Sequence, residues 1–519
     1  MGFMVKGIMR FWAVCVVVVS TSVTAAVQYL DIWEYRVQGN SLLADELIQR
    51  ELAPYLGAAR TLEDVERAAK VLQELYKRAG YPAVFVEIPP QTVVQGVFRL
   101  QVVETRLRRL RVSGAEYFLP SMIRQALPSL QTGNALNLRD LQEDIQYANA
   151  LNPNLKLLPM LKQGPTAKTI EVDLEVDDQL PLSGALELND YNSANTTDAR
   201  LIGEIQYSNL WQKLHDLSFQ IQVSPEDTDE VQVLAGTYVL PVGFKGNKVA
   251  LYAVLSDSDV ATVGNTRVVG DGFILGGRYI HPFQRRDTGI STLIFGFDYK
   301  DFDEAISVAG TDDLTTPIDY MVLTSQYSSF NRSEQWADNL GLALKFGVRE
   351  LFNENEEFNN KRSRGEPNFT VLKLDYELNY FLGEGWSALG ALSAQWSSTP
   401  LVSNEQMSAG GVDTVRGYYE SQVSADMGAR LGFEISTPSY AGKLGELWAL
   451  TFLEGAYLEN TDTGIEEESE FRLASFGIGV RAQLKKQWFV NLDAGYPLKD
   501  IDEVKQGDVR VNAKLRYEF

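Results

Sequence analysis

Between residues 180 and 519, apolar and polar side chains alternate with a period of two. Leu217–Val223, Leu293–Tyr299 and Val509–Phe519 are clear examples. Alternation with this period predicts β-strands that have one apolar and one polar face. Because it recurs over most of the chain, it favours one large antiparallel sheet over a collection of small domains.

The last strand indicates which face is apolar. One face carries the apolar side chains Val509, Val511, Ala513, Leu515, Tyr517 and Phe519, and the other is polar. Apolar outside and polar inside is the pattern of a transmembrane barrel strand. A strand of a soluble sandwich alternates too, but an exposed terminal Phe is unusual there. The ending with Leu515, Tyr517 and Phe519 resembles the signal that the barrel-assembly machinery reads during biogenesis.

We count sixteen strands in this region. Their approximate centres are residues 186, 205, 220, 235, 251, 274, 295, 324, 343, 376, 391, 431, 452, 477, 491 and 514. The count is even, as bacterial outer-membrane barrels require, and closure pairs every backbone polar group within lipid. No apolar run after residue 26 is long enough for a membrane-spanning helix. The predicted fold is therefore mainly β, a 16-stranded antiparallel barrel over residues 180–519, surrounded by outer-membrane lipid and wide enough to enclose water.

Residues 1–26 have the pattern of a cleaved signal peptide. Lys6 and Arg10 precede the apolar run Phe11–Val19, and small residues follow up to Ala26. The apolar run is short for a membrane anchor, which is the alternative interpretation. The single cysteine, Cys15, lies in this segment, so the mature chain has no disulfide.

Between the leader and the barrel, a β-α-α-β-β order occurs twice, at residues 29–105 and 106–178. The turn after the first strand falls at Gly39 and again at Gly114, and the start of the second helix falls at Thr61 and again at Asn137. Spacings of 75 and 76 residues indicate one supersecondary unit used twice. Each unit predicts a small α+β domain with free sheet edges, which could take a strand from another chain or could act only as a spacer.

This arrangement of leader, paired domains and barrel resembles the TpsB transporters of two-partner secretion, of the ShlB/FhaC/HecB haemolysin secretion/activation type. The small domains are similar to POTRA domains. The resemblance covers nearly the whole mature chain and places it in the bacterial outer membrane with the POTRA-like domains in the periplasm. Many relatives carry a further N-terminal helix that fills the barrel. POTRA-like sequence begins soon after the leader here, so we expect no such helix and expect a loop to occlude the lumen instead.

The most specific motif is Val415-Arg416-Gly417-Tyr418, which is similar to the VRGY signature of the family's long loop between strands 11 and 12. The resemblance implies that this loop folds into the lumen and that Arg416 pairs with an acid of an F-x-D-x-G motif. The matching stretch is Phe452–Ala456, where Glu454 replaces the aspartate and the glycine comes one position early. Glu434 is the alternative acceptor. The arginine could act as a latch or could only brace the barrel.

Catalysis and nucleic-acid binding find no support in the sequence. The formal net charge is −22, and a nucleic-acid binder needs a basic surface. The two histidines, His215 and His281, lie near strand ends, and no nucleophile elbow, phosphate loop or metalloprotease motif is present. We therefore predict no enzyme activity, no cofactor and no metal site.

The resemblance implies a translocator that recognises one large exoprotein, haemolysin- or adhesin-like, in the periplasm and secretes it. The first alternative is an assembly or insertion factor of the same superfamily, which usually carries more than two POTRA domains. The second is a porin or receptor barrel, which would not need the paired domains or the Arg416 motif.

Overall fold

The computed structural model describes residues 29–519, except for short gaps. These gaps are residues 167, 195, 244–245, 259–260, 264–265, 269, 287, 307–313, 350, 352–354 and 462–468. The predicted signal peptide, residues 1–26, lies outside the described residues. The chain divides into two compact units. The first holds the residues up to Arg111, together with Leu127–Asp144 and Pro159–Leu174. The second holds Val112–Ala126, Ile145–Leu158 and Glu175–Phe519.

The first soluble segment has a three-stranded sheet. Its strands and helices are Leu30–Ile32, Glu34–Gln38, Asp45–Leu52 (helix), Gly57–Arg60, Leu62–Arg78 (helix), Val84–Glu87 and Val97–Glu104. Val97–Glu104 is the central strand, parallel to Glu34–Gln38 and antiparallel to Val84–Glu87. Strands Leu30–Ile32 and Gly57–Arg60, which the sequence pattern did not predict, form a separate pair.

The second helix begins where the capping signal predicts. The Thr61 side chain accepts from the Asp64 backbone N–H, and the Asp64 carboxylate accepts from the Thr61 N–H at 2.9 Å. These hydrogen bonds from Thr61 lower the pKa of Asp64. Gly80, with φ +97°, follows the helix end. Val65 and Leu72 are fully buried, whereas Leu62 in the first turn is exposed.

The second segment repeats the predicted order. Its elements are Arg106–Ser113, the helices Pro120–Ala126 and Leu138–Leu151, and the strands Leu155–Gln163 and Thr169–Asp178. Gly39 and Gly114 occupy equivalent positions: both have positive φ, and a Cβ on either would lie within 2.5 Å of a carbonyl oxygen, of Val102 and Val176 respectively. Only glycine fits such a site, which explains why it recurs. The boundaries 29–105 and 106–178 stay predictions.

Sixteen strands form the closed antiparallel barrel, as predicted. They are Leu182–Asn189, Arg200–Leu210, His215–Val223, Val231–Pro241, Lys248–Ser258, Asp271–Arg286, Gly289–Ile306, Leu314–Arg332, Trp336–Val348, Thr370–Gly383, Trp386–Ser397, Met427–Ser436 (resuming at Tyr440–Ala441), Gly445–Glu459, Glu470–Leu484, Trp488–Pro497 and Arg510–Glu518. Each predicted centre falls inside its strand.

Connections alternate between short turns and long loops. Glu384 and Gly385 alone join strands 10 and 11, both with positive φ, as a two-residue hairpin requires. At the opposite end of the barrel, residues 398–426 join strands 11 and 12. In the described part of the chain, no helix is long and apolar enough to cross a bilayer.

Candidate functional site

The long connection between strands 11 and 12, residues 398–426, is folded inside the barrel. We call it the luminal loop. It contains a short 3₁₀ turn, Ser403–Glu405, and a two-stranded ribbon of Met407–Ala409 with Val423–Ala425. Its apolar side chains pack on strands 13 and 14 and on the connection after strand 15. The buried members of this cluster are Met407, Ala409, Val415, Tyr418, Val423, Ala425, Ala456, Leu458, Leu473 and Val504.

Arg416, near the tip of the luminal loop, contacts three carboxylates of the inner wall. Its Nε and Nη2 donate to Glu454 Oε1 at 2.8 and 2.5 Å, and its backbone N–H donates to Glu454 Oε2 at 2.7 Å. Nη2 also donates to Glu434 at 3.0 Å, and Nη1 donates to Asp493 at 3.1 Å. The two acceptors considered from the sequence therefore both contact the guanidinium, and Asp493 joins them.

The surroundings of Arg416 are largely dry. Its guanidinium carbon lies 3.6 Å from the centre of the Phe452 ring, a cation–π geometry. Arg416 is 6% exposed and Glu454 is 9% exposed. Arg481 donates to Asp493 at 2.8 Å, so two arginines face three carboxylates. In such a site, removing one partner costs more than the net value of the pair, because the remaining charges stay buried.

The loop tip approaches strand 15 closely at Gly417. A Cβ on Gly495 would lie 2.5 Å from the Gly417 nitrogen, so the two backbones touch. Gly417 has φ +96°, which L side chains rarely adopt. Tyr418 then inserts its ring into the apolar cluster, and its hydroxyl lies 3.0 Å from the carbonyl oxygens of Ala474 and Lys499.

Gly495→Ala is expected to push the luminal loop off the wall. The added methyl has no room against the Gly417 backbone, and overpacking of this kind costs about 1–3 kcal/mol. In planar bilayers, the purified protein should spend roughly tenfold more time in conducting states. Gly390→Ala is the matched control, since a Cβ there meets nothing within 4 Å. Equal conductance for Gly495→Ala and wild type would contradict the close contact.

We call the part of the luminal loop that precedes its ribbon, residues 398–406, the first leg. Glu405 on the first leg forms a second buried ion-pair cluster that the sequence did not suggest. Its carboxylate contacts the Lys300 ammonium, lies 3.1 Å from the Lys345 Nζ and accepts from the Tyr320 hydroxyl at 3.3 Å. Burial alone raises the pKa of Glu405, but Lys300 and Lys345 lower it more strongly, so its pKa lies well below its usual range. Two lysines therefore offset the charge of this fully buried side chain.

Part of the inner wall is apolar instead of polar. On strands 4–8 and 10, towards the loop-bearing end, the buried inward-facing side chains are Val231, Val233, Ala235, Val254, Ile274, Phe302, Ile318, Tyr320, Val322 and Val371. Phe358, on helix Asn355–Lys361, and Phe369 pack on them with Leu401 and Val402 of the luminal loop. The ring centroids of Tyr320 and Phe358 are 5.5 Å apart. The inner surface is apolar here because it packs against Phe358, Phe369 and the luminal loop instead of facing water.

A cavity of about 1660 Å³ remains in the lumen beside the loop. Charged and polar side chains of many strands line it, among them Glu204, Arg278, Lys373, Ser393, Arg430 and Arg516. The predicted polar interior is therefore present below the apolar band. Of the two histidines, His215 contacts the Tyr238 hydroxyl and His281 lies 2.9 Å from Asn247.

The C-terminal residues lie at the seam where strand 16 meets strand 1. Phe519 and Gly184 exchange two backbone hydrogen bonds at 3.0 and 3.1 Å. The rings of Tyr517 and Trp488 pack at a tilt, with centroids 4.8 Å apart, and Leu515 is 42% exposed. Their role as an assembly signal stays a prediction.

Comparison with known proteins follows from these features. The family model "Haemolysin secretion/activation protein ShlB/FhaC/HecB" matches residues 169–482, and the model of the ShlB-type POTRA domain matches residues 30–105. The chain belongs to this family. It is thus an outer-membrane β-barrel transporter with POTRA domains, which are periplasmic in the family.

Individual relatives agree with that assignment. The outer membrane transporter CdiB of Dickeya dadantii is 22% identical, covering 89% of this chain and 83% of that protein. The heme/hemopexin transporter protein HuxB of Haemophilus influenzae is 20% identical, over 87% and 81%. Among solved structures, CdiB from Escherichia coli superposes with a TM-score of 0.71 at 19% identity, covering 96% of this chain and 92% of that one. BamA from Haemophilus ducreyi lacking POTRA domains 1–3 gives 0.57 at 11% identity, covering 94% and 100%, and shares the fold.

Proposed function

We propose that this transporter recognises one large exoprotein in the periplasm and passes it through the barrel to the cell surface. The observation that carries the proposal is the luminal loop. This loop is a segment of the chain itself that fills part of the lumen. It is held by ion pairs and apolar contacts, which can separate and re-form.

In this proposal the contacts of Arg416 are the latch that keeps the loop inside. Bidentate charge-assisted bonds position a guanidinium accurately, and water entering beside it weakens them. The carboxylates that accept from Arg416 are those of Glu454, Glu434 and Asp493. The conformation of the loop tip around Arg416 is set by Val415, Gly417 and Tyr418. Passage of an extended polypeptide would require these contacts to break.

Capture is proposed to occur on the free edges of the POTRA domains. Leu155–Gln163 is an edge strand of its sheet, and its central residues Leu158, Met160 and Leu161 are 55%, 45% and 44% exposed. An uncovered apolar edge strand is suited to pairing with an extended segment of another chain. The formal net charge of −22 gives no reason to propose a nucleic-acid partner.

Deletion of the gene tests the proposal against its main alternative. We expect one large protein to disappear from the culture supernatant and to return when the wild-type gene is restored. The amounts of other outer-membrane barrels should not change, because a dedicated translocator does not assemble them. Quantitative proteomics of supernatant and outer membrane measures both. A general fall in outer-membrane barrels would instead identify an assembly factor.

A further inference from the structure

Two residues of the luminal loop carry opposite charges and contact different parts of the inner wall. Arg416 at the tip faces carboxylates of strands 12, 13 and 15, whereas Glu405 on the first leg faces Lys300 of strand 7 and Lys345 of strand 9. The luminal loop therefore neutralises both parts of the wall. When it leaves the lumen, each part keeps its own charge.

The wall around Glu405 has more cations than the loop neutralises. Lys373 on strand 10 lines the luminal cavity. It pairs across the strands with Ala343 of strand 9, which lies two residues before Lys345. Within the described residues, Lys373 has no carboxylate in contact. Lys300, Lys345 and Lys373 thus lie on strands 7, 9 and 10, and Glu405 pairs with the first two of them.

Among the described residues, the groups that contact the Glu405 carboxylate are hydrogen-bond donors. Lys300, Lys345 and the Tyr320 hydroxyl converge on its two oxygens. Such a set recognises a carboxylate by geometry and by charge, and the luminal loop covers it in the arrangement seen here. Lys300 is 4% exposed and Tyr320 is fully buried.

We propose that Lys300, Lys345, Lys373 and Tyr320 form a carboxylate-binding socket on the inner wall, which Glu405 occupies in the closed state. When the loop withdraws, the socket becomes available to the acidic side chains of polypeptide in transit. This inference rests on the proposed function, since it assumes that polypeptide enters the lumen. Glu405 acts as the built-in occupant, and its departure is a second release step besides that of Arg416.

The test uses the purified full-length protein in planar bilayers, without any exoprotein. Glu405→Gln removes the charge that holds the first leg, and we expect roughly tenfold more time in conducting states, because a broken buried ion pair destabilises the loop-in state strongly. The reversal potential in a KCl gradient should shift towards anion preference. Glu204→Gln is the matched control: it makes the same change at an acid of the luminal cavity that pairs with Arg516 and not with the loop.

Block by short homopolymers then identifies the ligand class. Poly-glutamate should block the Glu405→Gln pore at a concentration several-fold lower than poly-lysine does, and the added changes Lys300→Gln and Lys345→Gln should remove that difference. A Glu405→Gln protein that stays closed would show that the departure of Glu405 is not a release step. The socket would be ruled out if the pore is open but its block by poly-glutamate is unchanged by Lys300→Gln and Lys345→Gln.

Barrel integrity is checked by the heat-dependent shift of the band on a gel. If Glu405→Gln does not accumulate as a folded barrel, Glu405→Asp keeps the charge but shortens the reach, and it should open the pore partially. No exoprotein is present in the bilayer test, so its result does not depend on secretion. The socket hypothesis can therefore be refuted while the proposed secretion function stands, and the secretion function can be refuted while the socket stands.

Discussion

Arg416→Ala is expected to reduce secretion of the partner exoprotein by at least about tenfold while the barrel stays in the outer membrane at its normal level. The change leaves Asp493 paired with Arg481 and removes the arginine contact of Glu454 and Glu434. Breaking a buried ion-pair cluster in this way costs about 3–5 kcal/mol, and the cost falls on the loop-in state that the cluster stabilises. A loop that no longer rests in a defined position cannot open and reclose in step with the polypeptide.

Two further variants separate a latch from a brace. Arg416→Lys keeps the charge but loses the fork that reaches several carboxylates at once, so secretion should fall between wild type and alanine. Arg472→Ala is the matched control, because Arg472 is an exposed arginine on strand 14 that pairs with Glu470. The readouts are exoprotein in the supernatant and folded barrel in the membrane. If both fall in parallel for Arg416→Ala, the arginine braces the barrel and the latch is refuted.

The strands and the Arg416 region could be predicted because each depends on local pattern. Glu454 and Glu434 were expected as partners of Arg416 because the motifs resemble those of the family. Alternation shows only which face of a strand is polar. It does not show the height of a residue in the barrel, which depends on the stagger between strands. Asp493 lies two residues after Asn491 on the polar face of its strand, so its direction was readable, whereas its height beside Arg416 was not.

Two luminal features could not be predicted for a different reason. Glu405 lies in a loop without periodicity, and its lysine partners lie 105 and 60 residues earlier, so nothing local links them. The inner apolar band breaks the polar-inside rule. Val231 and Val233 face inward because Phe358 and the first leg of the luminal loop pack over them, and a strand pattern alone carries no information about a loop that returns to cover it.

Removal of Phe519 is expected to lower the folded barrel in the outer membrane by more than about tenfold. The seam between strands 16 and 1 pairs five residues, Lys514–Glu518 with Ala185–Asn189, whereas strands 15 and 16 pair eight. Phe519 adds two backbone hydrogen bonds with Gly184 to this short seam. An unpaired edge within lipid exposes backbone groups that have no water to bind, at several kcal/mol each.

The measurement is the heat-modifiable band of the folded barrel in outer-membrane fractions. Phe519→Trp keeps an aromatic ring and the backbone bonds, so it should restore most of the signal. Phe476→Ala is the matched control, since it removes an outward-facing aromatic ring that is 47% exposed and lies away from the seam. Refolding into lipid vesicles without assembly machinery separates the two roles of Phe519. A chain lacking Phe519 that refolds normally in vesicles but fails in cells has lost a recognition signal, whereas one that fails in both has lost the closure of its seam. Normal levels of folded barrel in cells would show that Phe519 has neither role.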